Sequence, residues 1–404
     1  MYVQENFIKF TRGHVRQQNL IGSCPFYFNT SPGISFSLLE PTKESLWHKK
    51  LLKFKRYLAV FNCFVLWAQL IHESKNKSNI TTGTKLANYF CALTVSTITL
   101  QKLTTLKHSE DTIELFNLIL RFEDNYLLRM EATRILTKSY KLLIQMCVLG
   151  LRSGIPFIVL GYVLERWVIP CNAATSGYLL LPECDEEFSE TGKRWSLQSK
   201  LGLLSVMAGS LWTNMDSFGC WAVQLGEFSF IQSICLWNYV KVFMNRINSE
   251  NDPSIDSYLV YRQLQILNRY YNLIQQNVMI TSTLVLVTNG FIISTYVMLS
   301  IGADVTVLQI FMFLNGGFNC FLIILIQIGA MANLCGESIT TIKDLKKSAA
   351  QGKIGVIKHK WVERYLKSLT PLKVAVGSVN FIDELTPINL LDFCVSQIVS
   401  LLLL

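Results

Sequence analysis

The fold is decided by two long apolar runs, VMITSTLVLVTNGFIISTYVMLSI (Val278–Ile301) and VTVLQIFMFLNGGFNCFLIILIQIGAMANL (Val305–Leu334). Neither run contains a charged residue, and a helix needs about 20 mostly apolar residues to cross the hydrocarbon core of a bilayer. The two runs therefore predict a pair of membrane-spanning helices joined by a very short loop.

The composition of the whole chain points in the same direction. Half of its 404 residues are hydrophobic, only 16% are charged, and the mean hydropathy is +0.33. Soluble domains carry about 25% charged residues, so a soluble fold of this length would lack the polar side chains to cover its surface. The composition argues against a cytosolic enzyme and predicts a single helical bundle in a membrane.

Five more apolar segments complete the predicted transmembrane set. The seven segments are Arg56–Ile71, Leu86–Leu106, Leu142–Leu164, Leu201–Leu225, Val278–Ile301, Val305–Leu334 and Pro387–Leu404. The first is long enough only if the preceding leucines extend it and the neighbouring lysines snorkel. The predicted fold class is an all-α integral membrane protein with seven transmembrane helices.

Basic residues predict how these helices are oriented. The chain carries 37 Lys and Arg against 28 Asp and Glu, and most of the basic residues fall in segments that are inside when the N-terminus is cytoplasmic. Since cytoplasmic loops are enriched in Lys and Arg, we expect a cytoplasmic N-terminus and an extracellular C-terminus. The dispersed basic blocks do not form the patch that nucleic acid requires, and the polar start of the chain predicts no cleaved signal peptide.

Two predicted extracellular loops carry candidate modification sites. The first holds N-glycosylation sequons at Asn76 and Asn79. The second holds Cys171 and Cys184, the only cysteines that this orientation places in an extracellular loop. An oxidising compartment favours a disulfide between them, and the alternative is that both are free thiols.

The predicted cytoplasmic segments are too long to be simple connectors. They repeat apolar residues at helical spacing, so we expect the membrane helices to continue into the cytoplasm and pack there. The alternative is amphipathic helices lying on the inner leaflet. The predicted organisation begins with a cytoplasmic N-terminal segment (1–50), followed by spans 1 to 6 with extended cytoplasmic helices (51–335). A cytoplasmic anchor helix (336–385), with a break at Gly352–Gly355, then leads to a seventh span (386–404).

The last segment, YLKSLTPLKVAVGSVNFIDELTPINLLDFCVSQIVSLLLL (Tyr365–Leu404), resembles the C-terminal region of arthropod gustatory and odorant receptors. In those receptors a short cytoplasmic helix is followed by a turn with a glycine and an aromatic residue, and then by the pore-lining helix. Gustatory receptors usually close with Thr-Tyr, five hydrophobic residues and Gln-Phe. The same spacing here gives Ser396-Gln397, Ile398–Leu402 and Leu403-Leu404, so the chain resembles a divergent gustatory-receptor-like member.

The resemblance implies a ligand-gated, non-selective cation channel in the plasma membrane of chemosensory neurons. Family members bind a small-molecule tastant or odorant in the outer half of the bundle, assemble as tetramers through a cytoplasmic anchor domain, and line the pore with the last span. The implied partners are the small molecule, membrane lipid and other subunits, in a homo- or hetero-tetramer with or without a co-receptor. No cofactor and no nucleic acid is expected, and taste and smell are both open.

Polar residues inside the predicted spans are costly and are therefore candidates for function. Arg152 in the third span and Asp216 in the fourth fall near mid-depth, where we expect them to pair and fix helix packing. Ligand recognition and snorkelling at the lipid face are the alternatives. The sixth span contains Asn315–Asn319 (NGGFN) and the fifth contains Asn289-Gly290, which favour close helix packing, with a gating kink as the alternative.

Aromatic side chains from five spans gather in the predicted outer half. The candidate ligand-pocket residues are Tyr89, Phe157, Tyr162, Trp212, Tyr296 and Phe311, with Phe90, Phe291 and Phe313 beside them. Ligand pockets are mostly apolar with a few placed polar groups, so this cluster suits a small odorant. Contact with lipid or with other helices is the alternative.

The seventh span carries a polar stripe. Asp392, Ser396 and Ser400 recur every four residues, close to one helical face, with Gln397 next to them and Leu403 in the apolar end. Hydroxyls and one acid suit the wall of a cation pore, and the apolar end suits a gate that closes by dewetting. Hydrogen bonding to neighbouring helices is the alternative.

Other functions lack their sequence patterns. The 11 cysteines and five histidines form no CxxC or HExxH spacing, so we expect no metal site, and no nucleophile and base are grouped as an enzyme requires. A G-protein-coupled receptor needs the opposite orientation and the acidic-Arg-Tyr and Asn-Pro-x-x-Tyr motifs, which are absent. A secondary transporter needs inverted repeats, which the sequence does not show.

Overall fold

The computed structural model describes residues 26–29, 38–41, 46–76, 82–127, 230–249, 255–301, 307–350 and 356–403, together with Val15 and Gly202. Almost all of these residues are helical.

The helices follow one another as α1 (Leu46–Asn76), α2 (Thr82–Lys107), α3 (Ser109–Phe122), α4 (Phe230–Ser249), α5 (Ile255–Gln275), α6 (Met279–Tyr296), α7 (Val307–Leu322), α8 (Gly329–Ala350), α9 (Val356–Ser368) and α10 (Thr386–Leu402). Turns of π-helix continue α3 at Glu123–Leu127 and α6 at Val297–Ile301, and another joins α7 to α8 at Ile323–Ile328. Helices α7 and α8 therefore form one uninterrupted rod.

Two small antiparallel hairpins accompany the helices. Strand β1 (Phe26–Asn29) pairs with β2 (Leu38–Pro41), and β3 (Val374–Val376) pairs with β4 (Asn380–Ile382). The second hairpin turns at Gly377, whose φ of 61° is a left-handed conformation that glycine adopts without strain. It lies between α9 and α10, where the resemblance implied a turn with a glycine.

Five of the predicted spans coincide with described helices. These are α1, α2, α6, the α7–α8 rod and α10, whereas the predicted spans Leu142–Leu164 and Leu201–Leu225 lie outside the described residues. Within the described part, Met279–Ser300 and Gln309–Lys347 are long and apolar enough to cross a membrane, and α10 is a shorter apolar helix. The fold class is that of an all-α membrane protein.

The segment predicted as one anchor helix consists of several elements. Helix α8 ends at Ala350 and α9 begins at Val356, on either side of the predicted break, and the β3–β4 hairpin follows α9. We expected α6 to continue without a break into α5. A short turn at 276–278 separates the two helices instead. Sequence periodicity located the helices, but it did not show the strands or this turn.

The main apolar core lies in a bundle made of α3, α4, α5, α8 and α9, called here the helical bundle. Its largest fully buried aromatic side chains are Phe116 of α3, Tyr239 and Phe243 of α4, and Tyr261 and Tyr271 of α5. Burying a large apolar side chain contributes about 1.5–3 kcal/mol, so these buried aromatic side chains stabilise the bundle.

Helices that coincide with predicted spans show the opposite pattern, with large apolar side chains exposed along one face. On α1 these are Phe54, Tyr57, Phe61 and Phe64, and on α7 they are Val307, Phe311, Leu314 and Phe318. Their spacing of three or four residues places each set on a single stripe. Lipid tails are as apolar as these side chains, so the exposure fits a membrane environment.

Helices α6 and α7 approach each other closely at glycine residues. A Cβ atom on Gly290 of α6 would lie 2.8 Å from Sγ of Cys320 in α7 and 3.1 Å from the ring of Phe90 in α2. A Cβ atom on Gly317 of α7 would lie 2.9 Å from Cβ of Ser294. The glycine-containing sequences of the fifth and sixth spans therefore lie at a tight contact between helices.

We expect Gly290→Ala to destabilise the protein by about 1–3 kcal/mol, because the added methyl group overlaps Cys320 and Phe90. Gly329→Ala is the matched control, since nothing lies within 4 Å of its Cβ position and alanine favours helix over glycine by about 1 kcal/mol. The measurement is the thermal unfolding temperature of the purified protein in detergent. Equal unfolding temperatures for the two variants would contradict the tight contact.

Candidate functional site

An aromatic cluster lies where α2, α6 and α7 meet, beside the glycine contact. The rings of Phe90 and Phe313 have centroids 6.1 Å apart, and Phe313 is buried together with Ile293 and Val297. Leu86 packs against the same group. The cluster is an apolar site near the connection between α6 and α7.

One polar group faces this apolar cluster. Ser294 is 1% exposed, and its Oγ has no hydrogen-bond partner among the described residues. The same oxygen lies 3.7 Å from the Cβ position of Gly316. A buried hydroxyl without a partner costs about 1–3 kcal/mol, so Ser294 could bond to a polar ligand atom. The sequence analysis missed this residue, although its spacing of four from Gly290 places both on one helix face.

The predicted ligand-pocket residues have different surroundings. Tyr89 packs edge-to-face on Trp67 of α1, with ring centroids 6.0 Å apart, and Tyr296 is half-buried on α6. Phe311 is 60% exposed on the outer stripe of α7, so the structure does not bring it into the aromatic cluster. Phe157, Tyr162 and Trp212 lie outside the described residues. The ligand pocket stays a prediction.

Helix α10 packs on the described part of the chain mainly through one face. Cys394 and Ile398 are buried against Ile292 of α6, with Phe291 and Leu401 beside them. Most other side chains of α10 are exposed. An apolar helix with one packed face leaves its remaining surface available to lipid, to another subunit or to a pore.

The predicted polar stripe lies opposite this packed face. Ser396 is two residues from both Cys394 and Ile398, which at about 100° per residue places it about 160° from each. Asp392 and Ser400 are one turn before and one turn after Ser396, and all three are exposed. The stripe therefore points away from the helices that support α10.

Three other exposed residues lie along this stripe or beside it. Leu403 is 82% exposed near the end of α10, and Gln397 is exposed about 100° round the helix from Ser396. Asn389 is also exposed and lies seven residues before Ser396, on the same side. The sequence analysis missed Asn389, and its heptad spacing is the signal that would have found it.

The remaining predicted site residues lie at or beyond the limits of the described chain. Asn76 is the last residue of α1, and Arg152, Cys171, Cys184, Asp216 and Asn79 lie outside the described residues. Within the described stretches, no group of three His, Cys, Asp or Glu side chains is arranged to hold a metal ion. The pairing, disulfide and glycosylation hypotheses stay predictions.

A reciprocal hydrogen-bonded cap fixes the start of α10. Asp383 Oδ1 accepts hydrogen bonds from the Thr386 amide at 2.9 Å and from its hydroxyl at 2.6 Å. The Asp383 amide donates to Thr386 Oγ1 at 3.0 Å. These bonds to Thr386 hold the pKa of Asp383 below its usual value, because they stabilise the ionised carboxylate.

Comparison with solved structures identifies the architecture. The chain is similar to the insect olfactory receptor OR5 from Machilis hrabei, with a TM-score of 0.66 and 10% identity over 98% of this chain and 97% of that one. The chain has the insect olfactory receptor fold. The same receptor in complex with eugenol gives a TM-score of 0.63 over the same shares of both chains, again at 10% identity. No family model and no curated protein sequence matches the chain.

The shared fold covers nearly the whole chain, as the resemblance of Tyr365–Leu404 to arthropod gustatory and odorant receptors implied. Both solved structures are of an olfactory receptor. At 10% identity the shared property is the fold, so the roles of individual side chains depend on the geometry described above.

Within this receptor fold, Thr386→Val should fray the first turn of α10. The variant loses both hydroxyl bonds to Asp383, and losing a cap costs about 1 kcal/mol, so amide exchange over residues 386–391 should rise about fivefold at pH 7. Mass spectrometry of hydrogen–deuterium exchange measures this. Thr340→Val is the control, because the Thr340 hydroxyl bonds only to Gly336 O within its own helix.

The same cap should depend on pH. The pKa of Asp383 is lowered in the folded protein, so its contribution is present above the pKa of the unfolded carboxyl and is lost as the pH falls through the folded value. At acid pH, the amides of residues 386–391 in the wild-type protein should therefore exchange at nearly the same rate as those in Thr386→Val at that pH. Equal rates in the two proteins at neutral pH would contradict the cap.

Proposed function

We propose that the chain is a chemosensory receptor of the insect olfactory and gustatory type, and that it acts as a ligand-gated, non-selective cation channel. The observation that carries this proposal is the likeness of the fold to olfactory receptor OR5 over 98% of the chain. The plasma membrane of chemosensory neurons is the proposed location. In this proposal the N-terminus and the helical bundle are cytoplasmic, and the C-terminus is extracellular.

The surface of α10 supports a pore-lining role. Its polar stripe of Asp392, Ser396 and Ser400 lies opposite the packed face, and carboxylates at the wall of a pore favour cations. Leu403 and the adjoining leucines would form the apolar constriction. We propose that equivalent stripes from several subunits face a common axis.

A stripe on α5 supports assembly from several subunits. Leu259, Ile266 and Leu273 are each more than 40% exposed, and they recur every seven residues, as in the seam of a coiled coil. In the proposed orientation this stripe would face water in a single subunit, which is unfavourable. A homo- or hetero-tetramer, with or without a co-receptor, would cover it.

A small apolar molecule is the proposed ligand. The solved complex of olfactory receptor OR5 contains eugenol, an aromatic compound with polar oxygen atoms. The cluster around Phe90 and Phe313, with the buried hydroxyl of Ser294 beside it, offers the apolar wall and single polar group that suit a ligand of this kind. The ligand can be a tastant or an odorant.

Expression in oocytes under voltage clamp tests the proposal. A panel of volatile odorants and soluble tastants, including eugenol, should contain at least one compound that evokes a cation current absent from uninjected cells. A chain that reaches the cell surface but conducts with no compound and no co-expressed receptor subunit would contradict the channel function.

Asp392→Asn should lower the preference of the evoked current for divalent cations. Removing the carboxylate from the exposed stripe weakens the attraction for Ca²⁺, so the permeability ratio of Ca²⁺ to Na⁺ should fall by about twofold or more. Glu110→Gln is the matched control, because Glu110 is an exposed carboxylate on a different helix, α3. Unchanged reversal potentials in Asp392→Asn would count against a pore position.

A further inference from the structure

Helix α5 carries a row of polar side chains inside the helical bundle. The row consists of Tyr261, Gln265, Asn268 and Asn272, and its spacing of four, three and four residues places it on one helix face. Tyr261, Gln265 and Asn268 are buried. Buried polar groups are unfavourable unless they are hydrogen-bonded, so this row must have partners.

Those partners are backbone atoms of the segment 370–377, which leads from α9 into the β3–β4 hairpin. The Tyr261 hydroxyl and Gln265 Nε2 both donate to the carbonyl oxygen of Thr370, at 3.2 Å and 2.9 Å. Arg262 Nη1 donates to Gln265 Oε1 at 2.9 Å, which turns the amide nitrogen towards Thr370. Asn268 Nδ2 donates to the carbonyl oxygen of Lys373 at 3.0 Å.

Asn272 makes the most specific of these contacts. Its Nδ2 donates to the carbonyl oxygen of Lys373 at 2.7 Å, and its Oδ1 accepts from the amide of Ala375 at 3.0 Å. A neighbouring strand offers the same donor and acceptor to residues i and i+2. The Asn272 amide therefore replaces a strand neighbour for β3 and fixes its register.

The two elements match in length as well as in chemistry. The last contact joins the Gly377 amide to the carbonyl oxygen of Gln276 at 2.9 Å. From Tyr261 to Gln276 a helix rises about 22 Å, at 1.5 Å per residue. From Thr370 to Gly377 an extended chain covers about 23 Å, at 3.3 Å per residue. The segment thus runs parallel to α5 in a fixed register.

The other side of the segment is held by α8. Ser338 Oγ accepts from the Leu372 amide at 2.9 Å and donates to the carbonyl oxygen of Cys335 at 2.8 Å. After the turn at Gly377, β4 ends at Ile382, which is fully buried in the core. A Cβ atom on Gly336 of α8 would overlap the carboxylate of Glu384. The chain from the segment to the start of α10 is therefore held closely on α5 and α8.

Helix α5 connects this segment to the aromatic cluster. Only the turn at 276–278 separates it from α6, which carries Ile293 and Ser294 of the cluster. The segment on its other side leads within a few residues to the Asp383–Thr386 cap of α10. The row of hydrogen bonds therefore joins α5, the neighbour of α6 in the chain, to the hairpin that precedes α10.

We propose that Asn272 is the positioning residue that couples α5 to α10. It holds the register of β3, and through the hairpin it sets where α10 begins. Since α10 is the proposed pore helix, its role in gating rests on the proposed function, whereas its role in positioning α10 does not.

Hydrogen–deuterium exchange of the purified full chain in lipid nanodiscs tests the proposal without any ligand or current. In Asn272→Ala, amides over residues 373–377 and over residues 386–391 should exchange about tenfold faster, while residues 112–120 of α3 should stay unchanged. Asn245→Ala is the matched control, because Asn245 is an exposed asparagine on α4 of the same bundle. It should show no change in any of these regions.

A second variant separates the two bonds of Asn272. Asn272→Asp keeps an oxygen for the Ala375 amide but loses the donor to Lys373 O, so it should give the same pattern with a smaller rise. Faster exchange confined to residues 373–377, with α10 unchanged, would overturn the positioning role. Faster exchange in α3 as well, in both variants, would also overturn it, because Asn272 would then stabilise the whole bundle.

Discussion

The apolar core shared by α3, α4, α5, α8 and α9 is the interaction on which the rest of the described structure depends. It buries Phe116, Tyr239 and Tyr261 completely or nearly so, whereas the helices of the predicted spans expose apolar stripes. In water the stripes of α1 and α7 would be unfavourable, and in lipid they cost little. The largest apolar core therefore lies in the helical bundle. The helices of the predicted spans contact one another through smaller apolar clusters, such as the one around Phe90 and Phe313.

Polar contacts supply the specificity that an apolar core lacks. The row on α5 fixes the segment 370–377 in one register, and the Asp383–Thr386 cap fixes the first turn of α10. The row on α5 and the Asp383–Thr386 cap are both made of hydrogen bonds. Hydrogen bonds weaken steeply when the donor and acceptor atoms move out of line. Helix α10, in which Cys394 and Ile398 are the buried residues among those described, consequently has its start fixed and most of its side chains exposed.

The sequence predicted the elements whose signal is local. The runs Val278–Ile301 and Val305–Leu334 contain no charge and became α6 and the α7–α8 rod, and the stripe of Asp392, Ser396 and Ser400 lies on one exposed face as the spacing indicated. Contacts between distant segments could not be predicted. The strands of the β3–β4 hairpin are three residues each, too short for a periodic signal, and Asn272 meets Lys373 across about a hundred residues of chain. Helical spacing likewise did not show that Phe311 faces outward while Phe313 is buried.

We propose that these helices cross a bilayer with the helical bundle in the cytoplasm and with α10 running outward. Epitope tags placed before Met1 and after Leu404, tested with antibody on intact and on permeabilised cells, measure this directly. We expect staining of the C-terminal tag on intact cells and of the N-terminal tag only after permeabilisation. Staining of the N-terminal tag on intact cells, with the C-terminal tag hidden, is the orientation of a G-protein-coupled receptor and would contradict it.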